Sequence, residues 1–98
     1  MKVSELKNLA VKSELQLAEV GVCSAEDLRD MGSAEAFVRL KAHFKKGISL
    51  NFLYAMEAGL RGEHWQLISD EDKLSLQTEV AALEELYSTF HKVPMSDS

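Results

Sequence analysis

The chain has 98 residues, of which 46% are hydrophobic and 28% charged, and its formal net charge is −5 at pH 7. That length holds one domain and excludes a two-domain enzyme, and the apolar share excludes disorder as the global state. The single cysteine, Cys23, excludes an internal disulfide, the acidic balance argues against strong sequence-independent DNA binding, and no stretch approaches the ~20 apolar residues of a membrane span.

Apolar residues recur at spacings of three and four between isolated glycines, which predicts five or six helices and no sheet. Val3 and Leu6 open a short first helix ending near Lys7 and Asn8. The second runs from about Lys12 to Val20, with Leu15, Ala18 and Val22 on its apolar side, and stops at Gly21, where a residue without Cβ can turn left-handed. Ser24 is the expected N-cap of the third, supported by Asp27, and Met31 ends it before Gly32. Ser33 is expected to repeat that cap. In the fourth helix Phe37, Leu40 and Phe44 form an apolar stripe, and Lys45-Lys46-Gly47 closes it, so this helix is expected on a surface.

Ser49 precedes a segment of another kind. Leu50, Phe52, Leu53, Tyr54, Met56 and Leu60 nearly encircle it, which predicts the central buried helix over residues 50–60, and Ala55, Ala58, Gly59 and Gly62 allow close approach to its backbone. Ser69-Asp70-Glu71-Asp72 caps a long last helix carrying Leu76, Val80, Leu83, Tyr87 and Phe90. It is expected to stop near Val93-Pro94, giving one domain over residues 1–93 and a flexible tail over 94–98.

His43, His64 and His91 fall in different segments and form no metal-ligand spacing, so neither a metal nor a cofactor is expected. His64-Trp65 is expected to close the fifth helix, with the indole filling a gap in the core. Cys23 has no adjacent base and is expected as a small buried side chain. Glu57 lies in an apolar helix with Arg61 four residues later, the favourable order for a structural ion pair. Enzyme activity therefore has no positive support.

Charge is uneven along the chain. Residues 1–47 carry eight Lys or Arg against seven acids, and residues 48–98 carry three against nine. The first half holds two basic groups: Lys7 and Lys12 around residues 7–13, and Arg39, Lys41, Lys45 and Lys46. Residues 7–13 read as a hairpin between two short helices, a helix-hairpin-helix arrangement whose second helix start offers backbone amides to a phosphate. The candidate contact residues for nucleic acid or a partner are Lys7, Asn8, Ala10, Lys12, Ser13, Arg39, Lys45 and Lys46.

Several fragments in order carry a family likeness: Leu6-x-Asn8-Leu9, Leu17-Ala18-Glu19-Val20-Gly21-Val22, Asp27-Leu28, Met31-Gly32-Ser33-Ala34, Arg39-Leu40, Leu53-Tyr54-Ala55-Met56-Glu57-Ala58 and Gly62-x-His64-Trp65. Together they resemble the C-terminal domain of the TfoX/Sxy competence regulators over most of the chain. The resemblance implies a compact all-α bundle with helix-hairpin-helix (SAM-like) character, like that of the RNA polymerase alpha C-terminal domain. It implies regulation of competence or transcription, and no enzymatic activity. Ala10 departs from a frequent glycine in the hairpin, Ala58-Gly59 reverses a frequent Gly-Ala order, and full-length relatives carry an additional N-terminal domain. Met1 is expected to mark a natural stand-alone protein.

The leading expectation is a non-catalytic interaction module that docks on a protein or nucleoprotein partner in the cytoplasm. The lone cysteine and the absence of an apolar leader after Met1 point to that reducing compartment. Direct DNA binding through residues 7–13 is the alternative. A homodimer through the last helix stays open, and a small-molecule ligand is not expected.

Overall fold

The computed structural model describes the backbone of residues 1–96 and the side chains up to Tyr87. Five α-helices follow in order, α1 (Val11–Ala18), α2 (Ala25–Met31), α3 (Ser33–His43), α4 (Leu50–Arg61) and α5 (Asp70–Ser96), with 3-10 turns at Val3–Glu5 and Trp65–Leu67. Among the described residues there is no strand. The compact all-helical class read from periodicity is the one that forms.

Val3–Glu5 is a single 3-10 turn, stapled by the Lys2 amide donating to Glu5 Oε1 at 2.7 Å. The chain then reverses at Asn8, whose φ of 73° is left-handed, a conformation asparagine tolerates better than most residues. The hairpin thus joins one 3-10 turn, not a first α-helix, to the eight residues of α1. Gly21, at φ 91°, ends the turn after α1 while the Val22 amide donates back to the Leu17 carbonyl at 2.9 Å.

At α2 the expected cap is present: Ser24 Oγ accepts the Asp27 amide at 3.1 Å, and the Asp27 carboxylate accepts the Cys23 amide at 3.0 Å. Ser33 does not repeat this. Gly32 occupies the cap position of α3, and Ser33, already inside the helix and buried, donates its hydroxyl to Glu57 Oε1 of α4 at 2.9 Å. The hydroxyl ties two helices together instead of satisfying its own helix start.

α3 also departs from its expected surface position. Ala34, Ala36, Phe37, Val38 and Leu40 are all buried, and the helix packs against α1, α2, α4 and α5. Ala34 and Ala36 let neighbours approach on sides where larger residues would hold them off. α4 buries Leu53, Tyr54, Met56, Ala58 and Gly59 as its composition predicts, but Leu50 is 44% exposed and Phe52 and Leu60 are half-buried. A Cβ at Gly59 would stand 2.8 Å from the Lys7 carbonyl, so the missing side chain is what admits the hairpin.

Ser69 Oγ accepts the Asp72 amide at 3.1 Å and caps α5. Leu76 and Val80 are buried and Leu83 and Tyr87 half-buried, mainly against α3. α5 continues to Ser96, two residues past the expected stop near Pro94. The side chains of Phe90 and His91, and residues 97 and 98 of the expected tail, lie outside the described residues.

Candidate interaction surface

Residues 7–13 hold two kinds of group. Asn8, read as a contact residue, is used internally: its Nδ2 donates to the Glu63 carbonyl at 2.7 Å and its Oδ1 accepts the Trp65 amide at 3.2 Å. Leu9 is buried. Ala10 is the N-cap of α1 and gives it no side-chain cap, and the amides of Val11, Lys12 and Ser13 find no acceptor among the described residues. Lys7 and Lys12 are exposed and form no ion pair among those residues. One acid faces this end: Glu14, in the first turn, accepts the Ser4 amide at 3.0 Å, and that hydrogen bond holds its carboxyl below the usual range.

The outward side of α1 corrects the expected helix face. Val11 and Leu15 are each 62% exposed and Ala18 is exposed, whereas Leu17 and Val22 enter the core. Leu15 and Leu17 project about 200° apart on a helix, so only one of them can point inward. Leu17 is the one that does, and the Glu14–Ser4 bond is consistent with that rotation. An apolar stripe at i, i+4 and i+7 is left facing solvent, with Lys12 beside it.

The second basic group is largely committed elsewhere. Arg39 donates to Glu35 at 2.7 Å, and hydrogen bonds to the Tyr87 hydroxyl and then to Glu35 hold its guanidinium still more firmly protonated. Lys41 pairs with Glu84 of α5 at 3.1 Å and lies 5.5 Å from the Phe37 ring centre. Lys45 and Lys46 follow α3 and are exposed, without an ion pair among the described residues. His43 Nε2 lies 3.0 Å from Glu19 Oε1, joining the C-terminal ends of α1 and α3. That junction lies at the opposite end of α1 from the hairpin.

Glu57 and Arg61 form the expected pair, Nε to Oε2 at 2.9 Å. The structure extends it. Glu57 Oε1 takes the Ser33 hydroxyl, and Arg61 Nη1 reaches Asp72 Oδ2 at 2.8 Å, so one chain of polar contacts links α3, α4 and α5. Nearby, Gln77 Nε2 donates to the Tyr54 hydroxyl at 2.6 Å. These tertiary links had no signal in spacing, because their partners lie 11 to 24 positions apart. α4 is closed by Gly62 at φ 74° and by the Glu63 amide donating to the Ala58 carbonyl, not by His64-Trp65 as expected. His64 Nδ1 instead accepts the Gln66 amide at 3.2 Å and caps the Trp65–Leu67 turn, while half-buried Trp65 packs on the core. Cys23 is exposed rather than buried, since Val22 before it takes the core position. No metal-holding group of His, Cys, Asp or Glu occurs among the described residues, and no helix there is long and apolar enough to cross a membrane.

Residues 1–80 match the family model of the TfoX C-terminal domain. Over 72 residues the chain is 31% identical to the DNA transformation protein TfoX of Haemophilus influenzae, covering 74% of this chain and 33% of that protein. The chain therefore spans about a third of that relative. It is also similar to two solved structures from Listeria monocytogenes. One, an uncharacterized protein in a triclinic form, superposes with a TM-score of 0.75 at 30% identity over 86% of this chain and 94% of that one. The other, a protein of unknown function in a tetragonal form, gives 0.71 at 30% identity over 82% and 96%.

Proposed function

The chain belongs to the TfoX C-terminal domain family, and from that membership we propose that it is a competence-related regulatory module acting without catalysis. In this reading it docks on a protein or nucleoprotein partner of the cytoplasmic transcription machinery. The observation that carries the reading is the outward edge of α1, where Val11 and Leu15, each 62% exposed, stand next in sequence to exposed Lys12, which, like Lys7 in the hairpin, forms no ion pair among the described residues. Two aligned apolar side chains left in water serve no packing purpose in the chain itself, and flanking lysines steer an acidic partner toward them.

The test is capture of partners from a lysate of a competent bacterium, with and without nuclease, by the wild type and by Leu15→Asp. A specific partner retained after nuclease and lost with Leu15→Asp supports docking through this edge. Capture that disappears with nuclease, or is indifferent to Leu15→Asp, removes it.

Direct DNA binding is the second reading, and the open amides of Val11, Lys12 and Ser13 favour it, since such a helix start can receive a phosphate. Ala10 and the Glu14 carboxylate oppose a close approach there. Affinity for duplex DNA that falls steeply with salt and is abolished by Lys7→Glu with Lys12→Glu is the expected signature. No detectable binding at low salt eliminates this reading.

A further inference from the structure

We propose that two copies of this chain associate by seating the outward stripe of α1 in one copy on the outer face of α5 in the other. The inference goes beyond docking on a foreign partner and is read in the purified protein alone, so either can fail without the other.

α5 turns its second face to water. Glu71, Leu74, Ser75, Thr78, Glu79 and Ala82 line a shallow groove there, and Leu74 is 65% exposed. The Thr78 hydroxyl donates to the Leu74 carbonyl of its own helix at 2.9 Å, so this residue's polar group is already satisfied and its methyl adds to the apolar floor. The acids on the rim differ from the others on α5. Asp72 is held by Arg61 and Glu84 by Lys41, whereas Glu71 and Glu79 make no ion pair among the described residues.

The stripe on α1 complements this groove in size, polarity and charge. Val11 to Ala18 extends about 10 Å along its helix and Leu74 to Ala82 about 12 Å along the other, and both repeat at the spacings by which helix ridges enter grooves. Lys12 flanks the stripe, and the rim of the groove carries the opposite charge on Glu71 and Glu79. α1 and α5 both pack on α3, and every copy carries both surfaces. The like net charge of two copies is screened over about 8 Å at physiological salt, so local Lys–Glu complementarity outweighs it at a close contact. Two short helix contacts make a small interface, so the association is weak and depends on concentration.

Sedimentation equilibrium at physiological salt, up to about 1 mM protein, tests this. The wild-type mass is expected to rise from 10.9 kDa toward twice that value. Leu15→Asp is expected to remain monomeric throughout, with unchanged helicity by circular dichroism because the position is exposed. Lys12→Glu, and separately Glu71→Lys with Glu79→Lys, should each weaken association about tenfold, and the three changes in one chain should restore it. A wild type monomeric at the highest concentration overturns the proposal. So does a mass unaffected by Leu15→Asp, or a triple variant that associates no better than the variants it combines.

Discussion

α3 and α4 have 11 and 12 residues and pack against each other, but they hold the fold together in different ways. α4 is the more apolar by sequence and packs principally on α3 and on the Trp65–Leu67 turn, leaving Leu50 in solvent. α3 carries Arg39, Lys41 and His43, and it touches all four other α-helices. What sets a helix at the crossing point of a small bundle is therefore not the amount of apolar surface it carries. What does it is burial on more than one side: Ala34, Ala36, Phe37, Val38 and Leu40 are buried over more than half of the circumference of α3, so neighbours meet it from several directions.

Matched substitutions give the sharpest test of that contrast. Phe37 is 2% exposed and Phe52 half-buried. Phe37→Ala is expected to lose about 3–5 kcal/mol in urea unfolding and Phe52→Ala less than half as much. Equal losses would break the distinction between the two helices. At Gly59, where the hairpin meets α4, Gly59→Ala brings a methyl against the Lys7 carbonyl and should cost about 1–3 kcal/mol, despite the higher helix propensity of alanine. An increase in melting temperature would show that the hairpin yields easily.

A smaller effect is expected where the two helices are tied by polar groups. Ser33→Ala leaves Glu57 Oε1 without its donor and should lower stability by about 1–2 kcal/mol. Glu57→Gln added to Ser33→Ala should then cost less than it does alone, which a double-mutant cycle measures. The smallest effect belongs to the outer end of the same chain of contacts. The hydrogen bond from Arg61 holds the Asp72 carboxyl below the usual range. A carboxyl depressed in the folded state stabilises fully above its unfolded pKa, about 3.9, and loses that contribution as pH falls through the folded value. Asp72→Asn should therefore flatten the decline of melting temperature below about pH 4 and leave the chain slightly less stable at pH 7. A steeper acid decline in the variant would contradict the assigned pairing.

Periodicity and capping carried most of the architecture. Ser24, Gly21, Ser69 and the Glu57–Arg61 spacing are local signals, and each forms the contact or turn its neighbours dictate. Ser33 shows where such reading stops. It has the sequence context of a cap, but Gly32 at φ 91° takes the cap position and Ser33, one residue inside the helix, donates to a carboxylate 24 positions away. α1 is a second case: Leu15 and Leu17 are equally apolar, and spacing alone does not say which of them faces the core. The candidate surface was legible in part. Lys7 and Lys12 are exposed and form no ion pair among the described residues, Asn8 is spent on a clasp, and the exposed stripe was hidden because its residues look like core.

That clasp also constrains the order in which the molecule can be made. Asn8 is fastened to Glu63 and Trp65, partners 55 and 57 positions downstream. On the ribosome, the hairpin residues have no such partners until that stretch has left the exit tunnel. The hairpin thus finds its place after segments that follow it in sequence, and α2 and α3 can form while it is still waiting to dock.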